Sequence, residues 1–270
     1  LFRTFLQEDT IFGDVTSEYI IPPDMTAEGI VFPREKCVVA GLEYLRDELI
    51  SLGFDVWISQ DGKIAERNEA VMKIRGNARK LLMVERTVLN ILGRLSGIAT
   101  ETRKVVDIVK EINPNIRIAA TRKTLWGRLD KMAVILGGGD PHRWSLGDMV
   151  MIKDNHIALV GFEEAIKRAK RVSFTKKIEV EVENGEMAIK AARMGVDIIM
   201  LDNLSPDEVC KISREIRRHS NAIIEVSGGI TPNNVKDYAK CDIDVISMGH
   251  LTHSVRSINF SMEVKRLKNI

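Results

Sequence analysis

Cysteine is scarce in this chain: Cys37, Cys210 and Cys241 are scattered through 270 residues. Their spacing offers no zinc ligand set, and they fit a reduced, cytoplasmic protein in which each acts as a small buried apolar residue. Long hydrophobic runs are missing too, so no segment is read as a membrane span. No stretch has the make-up of a signal peptide. An excess of charge of one sign is also lacking. The formal net charge of +2 argues against a nucleic-acid protein with a wholly basic surface. It leaves room for a local basic pocket.

What is present is ordinary globular material, 44% hydrophobic and long enough for one large domain or two smaller ones. The first third reads as mixed α and β. Short strands are expected at 29–32, 36–40, 55–59 and 71–76, with an amphipathic helix over 42–52 that stops at Gly53. Residues 78–112 hold helical periodicity, read as two helices bent near Ser96-Gly97. From Ile116 the pattern changes to alternating apolar runs and helical segments. The runs are 116–120, 149–152, 178–182, 196–201, 222–226 and 244–248. Such βα repetition implies a parallel sheet covered by helices. The fold class is therefore α/β, an incomplete α/β barrel with an N-terminal α+β sandwich domain; a doubly wound open sheet is the rival. The expected boundaries are 1–98 for the N-terminal domain and 99–254 for the barrel, with 255–270 returning to the first.

Each apolar run ends in residues with chemistry. They are Thr121-Arg122-Lys123, then Lys153-Asp154-Asn155-His156, then Glu179, Glu181 and Glu183 at period two. Asp202-Asn203, Ser227-Gly228-Gly229 and Gly249-His250 complete the series. One polar strand end is usually only a cap for the next helix. Six in succession point to a ring of site residues at the C-terminal ends of barrel strands.

The order of types is informative. Arg122, Lys123, His142, Arg143 and Lys153 form a basic set suited to carboxylates or phosphates. Each alone would be an ordinary surface cation. The glutamates sit among Ile and Val, where an unpaired carboxylate is costly, so they call for cations, a metal or ligand hydroxyls. Glu181 and Asp202, on adjacent strands, are candidates for ribose hydroxyls or Mg²⁺, which prefers oxygen ligands. The glycines of the last two strand ends let backbone N–H groups approach a phosphate.

Longer stretches carry a resemblance. They are Glu8-Asp9 with Gly13-Asp14-Val15-Thr16, ERTVLNILGRLSGIAT at 85–100, TRKT at 121–124 and GGGDPHR at 137–143. IKDNHI at 152–157, EVEVEN at 179–184, IIMLDN at 198–203 and VSGGI at 226–230 follow. In this order they resemble the quinolinate phosphoribosyltransferases, enzymes of NAD biosynthesis. That family joins quinolinate to phosphoribosyl pyrophosphate with loss of CO₂ and pyrophosphate, uses Mg²⁺, and acts as a homodimer with a shared active site, sometimes within a hexamer.

The resemblance implies roles. Thr121, Arg122, Lys123, His142, Arg143 and Lys153 would bind quinolinate, and Arg86 would reach the site of a partner copy. Glu181 and Asp202 would lie near the ribose and Mg²⁺. Ser227, Gly228, Gly229, Gly249 and His250 would cradle the 5′-phosphate. Lys123, Lys153, Glu181 and Asp202 would act in catalysis. No nucleic-acid or membrane partner is implied. The chain departs from the family where Leu125-Trp126-Gly127-Arg128 follows TRKT, in a segment about two residues shorter. A nicotinate-specific sibling, a molybdenum-associated relative and a non-catalytic phosphate-binding protein are the other readings. Five acid-binding cations, the KDNH stretch and the carboxylates at Glu181 and Asp202 weigh against them in turn.

Overall fold

The computed structural model describes residues 1–267, and residues 268–270 of the expected returning segment lie outside them. The chain divides into two compact units. The first takes Leu1–Arg103, Ile135–Gly138 and the described residues from Val255 to Leu267. Helices α1 (Phe2–Asp9) and α2 (Val15–Ile20) precede strand β1 (Thr26–Pro33). Strand β2 (Cys37–Val38), helix α3 (Leu42–Ser51) and strands β3 (Asp55–Ile58), β4 (Ile64–Ala65) and β5 (Met72–Asn77) follow. The C-terminal strand Phe260–Arg266, β1, β5 and β3 form one antiparallel sheet in that order.

Register places Glu28 of β1 opposite both Lys265 and Arg75. Its carboxylate is buried and bridges to Arg75 at 2.5 Å and Lys265 at 3.2 Å. These cations satisfy a charge that burial alone would make costly.

Helix α4 (Ala78–Lys110) is one continuous helix of 33 residues, not the expected bent pair. Gly97, which suggested a bend, serves close approach instead, as does Gly93 one turn earlier. A Cβ at Gly97 would lie 2.3 Å from the Arg256 carbonyl oxygen, and one at Gly93 would lie 2.8 Å from that of Ile258. These one-turn-spaced glycines let the 255–258 backbone lie directly on the helix.

The second unit takes Lys104–Val134 and Gly139–Ser254. Strands β6 (Arg117–Ala119) and β7 (Val150–Ile152) bracket helix α5 (Arg128–Leu136) in sequence. Then come α6 (Asp154–Val160), α7 (Phe162–Ala169), β8 (Ile178–Val182), α8 (Gly185–Arg193) and β9 (Ile198–Asp202). Helix α9 (Pro206–His219), β10 (Ile223–Ser227), α10 (Val235–Tyr238), β11 (Val245–Ser247) and α11 (His250–His253) complete the unit. Six parallel strands pair in the order β6-β11-β10-β9-β8-β7, the winding of a barrel rather than of a doubly wound sheet. The barrel is incomplete, because β6 and β7 stand at opposite edges. Only a parallel bridge from Ala119 to Asp140 extends the β6 edge.

Helices α8 and α9 start at side-chain caps. Asn184 accepts from the Met187 N–H, and Ser205 and Glu208 form a capping box. Helix α6 was not anticipated, since none of its residues is buried and so no apolar periodicity marks it. The cysteines also correct the sequence reading. Cys210 in α9 and Cys241 just after α10 are joined as a disulfide, their Cα atoms 4.6 Å apart. The Tyr238 hydroxyl, which donates to the Leu204 carbonyl, helps dock α10 on the start of α9. Only Cys37 is free, and it is buried.

Candidate active site

The six strands deliver side chains to one cavity of about 400 Å³ at their C-terminal ends. Thr121, Arg122, Lys123, His142, Arg143, Lys153, Glu181, Asp202 and Ser227 all line it. Gly228, Gly229, Gly249 and His250 follow the ends of β10 and β11 but are not among its lining residues. Arg86 is exposed on α4, in the other unit.

At one pole the cations gather. Arg122 and Lys123 leave β6 in a loop whose Lys123 N–H donates to Thr121 Oγ1 at 3.1 Å. The Thr252 hydroxyl donates to the Lys123 carbonyl at 2.7 Å. The divergent segment beyond is tied by Asp130, a fully buried acid of α5. It accepts from the Thr124 hydroxyl and from the N–H groups of Leu125 and Trp126. A short loop is thereby given a defined shape.

Arg143 stands beside them on a loop that begins at Asp140. Burial first, then the charge of Arg122, hold its guanidinium below its ordinary value. Lys131 of α5 is 2% exposed. Its ammonium donates to the carbonyls of Pro141 and Arg143. Burial, then Arg122 and Arg143, lower its pKa. Cations brought together where burial already disfavours their charge suit an anion as ligand.

At the other pole, the Lys153 ammonium is hydrogen-bonded to the Glu181 carboxylate. Asp202 lies nearby, its carboxyl held above the usual carboxylate range by burial and then by the charge of Glu181. Asn203 Nδ2 donates to Asp202 Oδ2 at 2.6 Å, and the Asn203 N–H donates to the Ser227 carbonyl at 3.0 Å. Gly228, at φ +90°, packs on Asn203 so closely that a Cβ would lie 2.3 Å from Asn203 Oδ1. No side chain fits there. Gly229, at φ +62°, faces open space.

Between the poles lies a buried group the sequence reading only half saw. His142 Nε2 is 3.1 Å from Glu225 Oε2 and 3.5 Å from Glu179 Oε2. Glu179 and Glu225 are 0% and 2% exposed. Burial, then the charge of Glu225, raises the Glu179 carboxyl. The three donor atoms lie within 4.8 Å of one another. Glu225 and Lys131 were missed as site residues. Glu225 carries a fainter form of the Glu179 signal: an acid inside an apolar strand, but single where Glu179 is one of a period-two series. Lys131 carries none, since a lysine on an amphipathic helix is normally a surface residue.

An open parallel barrel that brings basic side chains and two carboxylates together at its strand ends has the layout of a barrel-type enzyme centre. Comparison with known proteins makes this particular. Residues 14–96 match the quinolinate phosphoribosyl transferase N-terminal domain, and residues 98–263 match the corresponding C-terminal domain. A protein of Methanocaldococcus jannaschii named probable nicotinate-nucleotide pyrophosphorylase (carboxylating) is 48% identical over 275 residues. The match covers 98% of this chain and 96% of that one. The human nicotinate-nucleotide pyrophosphorylase (carboxylating) is 34% identical, with 88% and 82% covered. The solved NadC structure from Streptococcus pyogenes superposes with a TM-score of 0.91 at 35% identity, covering 99% and 96% of the two chains. The chain belongs to the quinolinate phosphoribosyltransferase family, the carboxylating nicotinate-nucleotide pyrophosphorylases.

Proposed function

We propose that this chain joins quinolinate to phosphoribosyl pyrophosphate and releases CO₂ and pyrophosphate, with the cavity residues in the following roles. Arg122, Lys123, His142, Arg143 and Lys153, with Thr121, hold the two carboxylates of quinolinate. The observation that carries this is the gathering of Arg122, Lys123, Arg143 and Lys153 in the lining of one cavity, with Arg143 held below its ordinary value by burial and then by Arg122. A monocarboxylate would leave much of that charge unmet.

Glu181 and Asp202 face the ribose. As the quinolinate nitrogen attacks C1′, the bond from C1′ to the pyrophosphate oxygen breaks and its electron pair leaves with pyrophosphate. Positive charge appears on the ribose, and the two carboxylates stabilise it. The C2–carboxylate bond then breaks. CO₂ leaves, and the electron pair at C2, stabilised by the cationic ring, takes a proton to give nicotinate mononucleotide. Holding both reactants in one cavity supplies much of the remaining rate.

The carboxylates of Glu181 and Asp202, which line the same cavity, also suit Mg²⁺, which takes oxygen ligands. Bound there, Mg²⁺ would supply charge to the leaving pyrophosphate. Ser227, Gly228, Gly229, Gly249 and His250 form the 5′-phosphate region. Support comes from the open, positive-φ backbone at Gly229. Arg86, exposed on α4, completes the site of a second copy in a homodimer, alone or within a hexamer. A cytoplasmic enzyme is the reading that goes with a charged, soluble donor, and the Cys210–Cys241 bond is then one of the rare disulfides of a reducing compartment. Among the described residues no helix is long and apolar enough to cross a membrane.

The test is direct. With phosphoribosyl pyrophosphate and Mg²⁺, quinolinate should be consumed with release of CO₂, far faster than nicotinate. Equal turnover of the two acids would overturn the assignment of Arg122, Lys123, His142, Arg143 and Lys153 to a dicarboxylate.

A further inference from the structure

The 140–143 loop brings the His142 ring and the Arg143 cation to the cavity, and its backbone is under constraint. His142 has φ +54°, in the left-handed region that a non-glycine residue seldom enters. The conformation is held from several sides. The His142 N–H donates to Asp140 Oδ1 at 2.7 Å, and Lys131 grips the carbonyls on either side of His142. The ring is held at both nitrogens. Nδ1 accepts from the Arg143 N–H at 2.8 Å. An accepting Nδ1 leaves the ring proton on Nε2, which is directed at Glu225 Oε2, 3.1 Å away.

Glu225 is thus the far end of a line that runs from β10 through the His142 ring to the Arg143 amide. Its other oxygen, and both oxygens of Glu179, are buried without a hydrogen-bond partner. Buried carboxylates whose hydrogen-bonding capacity is only partly met are expensive as mere packing. His142, Arg143 and Glu225 also line a second hollow, at the opposite ends of the strands, so they form the partition between two cavities. A displaced ring would find space on that side.

We propose that Glu225 is a positioning residue for acid binding. It fixes the tautomer and orientation of His142, and through His142 it sets where Arg143 stands in the pocket. Glu179 backs the same ring from β8. This rests on the assignment of Arg143 and His142 to quinolinate.

Glu225→Met keeps the volume and removes the acceptor, whereas Glu225→Gln keeps an acceptor. Folding of each is checked by circular dichroism. A hydrogen bond to a charged group typically accounts for ten- to a hundredfold in affinity, roughly. Glu225→Met should raise the KM for quinolinate on that order, and Glu225→Gln by less than about tenfold. In both, kcat and the KM for phosphoribosyl pyrophosphate should stay within about threefold of the parent. In a His142→Ala background, Glu225→Met should add little, because the two act as one unit. Nitrogen-15 spectra of the histidine-labelled protein should show a fixed Nε2–H ring at His142, and a tautomer mixture in Glu225→Met. An undiminished effect in the His142→Ala background would overturn the proposal, as would an unchanged ring spectrum. So would a fall in kcat with the quinolinate KM unaltered. Failure of the underlying assignment looks different: Arg143→Ala would then leave the quinolinate KM unchanged whatever Glu225 does.

Discussion

Lys153 at the end of β7 is ion-paired with Glu181 on the neighbouring β8, inside the same cavity as Asp202. The pair gives Glu181 two candidate tasks. It can neutralise a lysine, or it can stabilise positive charge that develops on the ribose. Glu181→Gln and Asp202→Asn preserve shape and remove charge. Loss of a preorganised electrostatic group costs on the order of 10²–10³ in rate. Both variants should therefore lose kcat by about that factor, with a smaller change in KM for the phosphoribosyl donor. Steady-state kinetics on the folded variants decides. A raised KM at unchanged kcat would leave both as ground-state ligands.

Arg86 offers a test of the shared site. It is exposed and lies in the unit that does not form the cavity. Arg86→Ala should fold normally and lose most activity. Lys153→Ala should be inactive as well. Mixed under conditions of subunit exchange, the two should regain activity, because a hybrid dimer contains one site with neither substitution. Exchange without recovery counts against a site shared between copies.

The cysteines give the third prediction. Burial pushes the Cys37 thiol up to about 12, and Cys210 and Cys241 are bonded to each other. The native protein should therefore show no thiol reactive toward a disulfide-exchange reagent at pH 8. Unfolding should expose one thiol, and unfolding with prior reduction should expose three, the full count in the sequence. The bond closes a loop with a sequence separation of 31. By chain entropy such a loop contributes about 3–4 kcal/mol. Cys210→Ser with Cys241→Ser should lower the denaturation midpoint by a corresponding amount, read by urea titration. Three reactive thiols in the unfolded, unreduced protein would refute the bond.

Much of this protein was legible as sequence because the signals are local. A βα repeat writes its period into consecutive residues, and the six barrel strands were each located within two residues of their ends. The cavity cations and carboxylates were legible for the same reason: a strand's C-terminal end is a position in sequence, and the fold class says where such ends converge. Tertiary structure decided what depends on contacts between distant segments. Ser96-Gly97 reads locally as a weak point in a helix, and only the 255–258 backbone lying on α4 shows why glycine stands there without a bend. Cys210 and Cys241 look scattered until the docking of α10 on the start of α9 brings them together. Lys131 looks like a surface lysine until burial turns its ammonium onto the Pro141 and Arg143 carbonyls. Glu225 looks like one acid in an apolar strand until its place opposite the His142 ring is known. The periodicity of a chain fixes which face of an element turns inward, but the identity of the inward neighbour is a property of the packed whole.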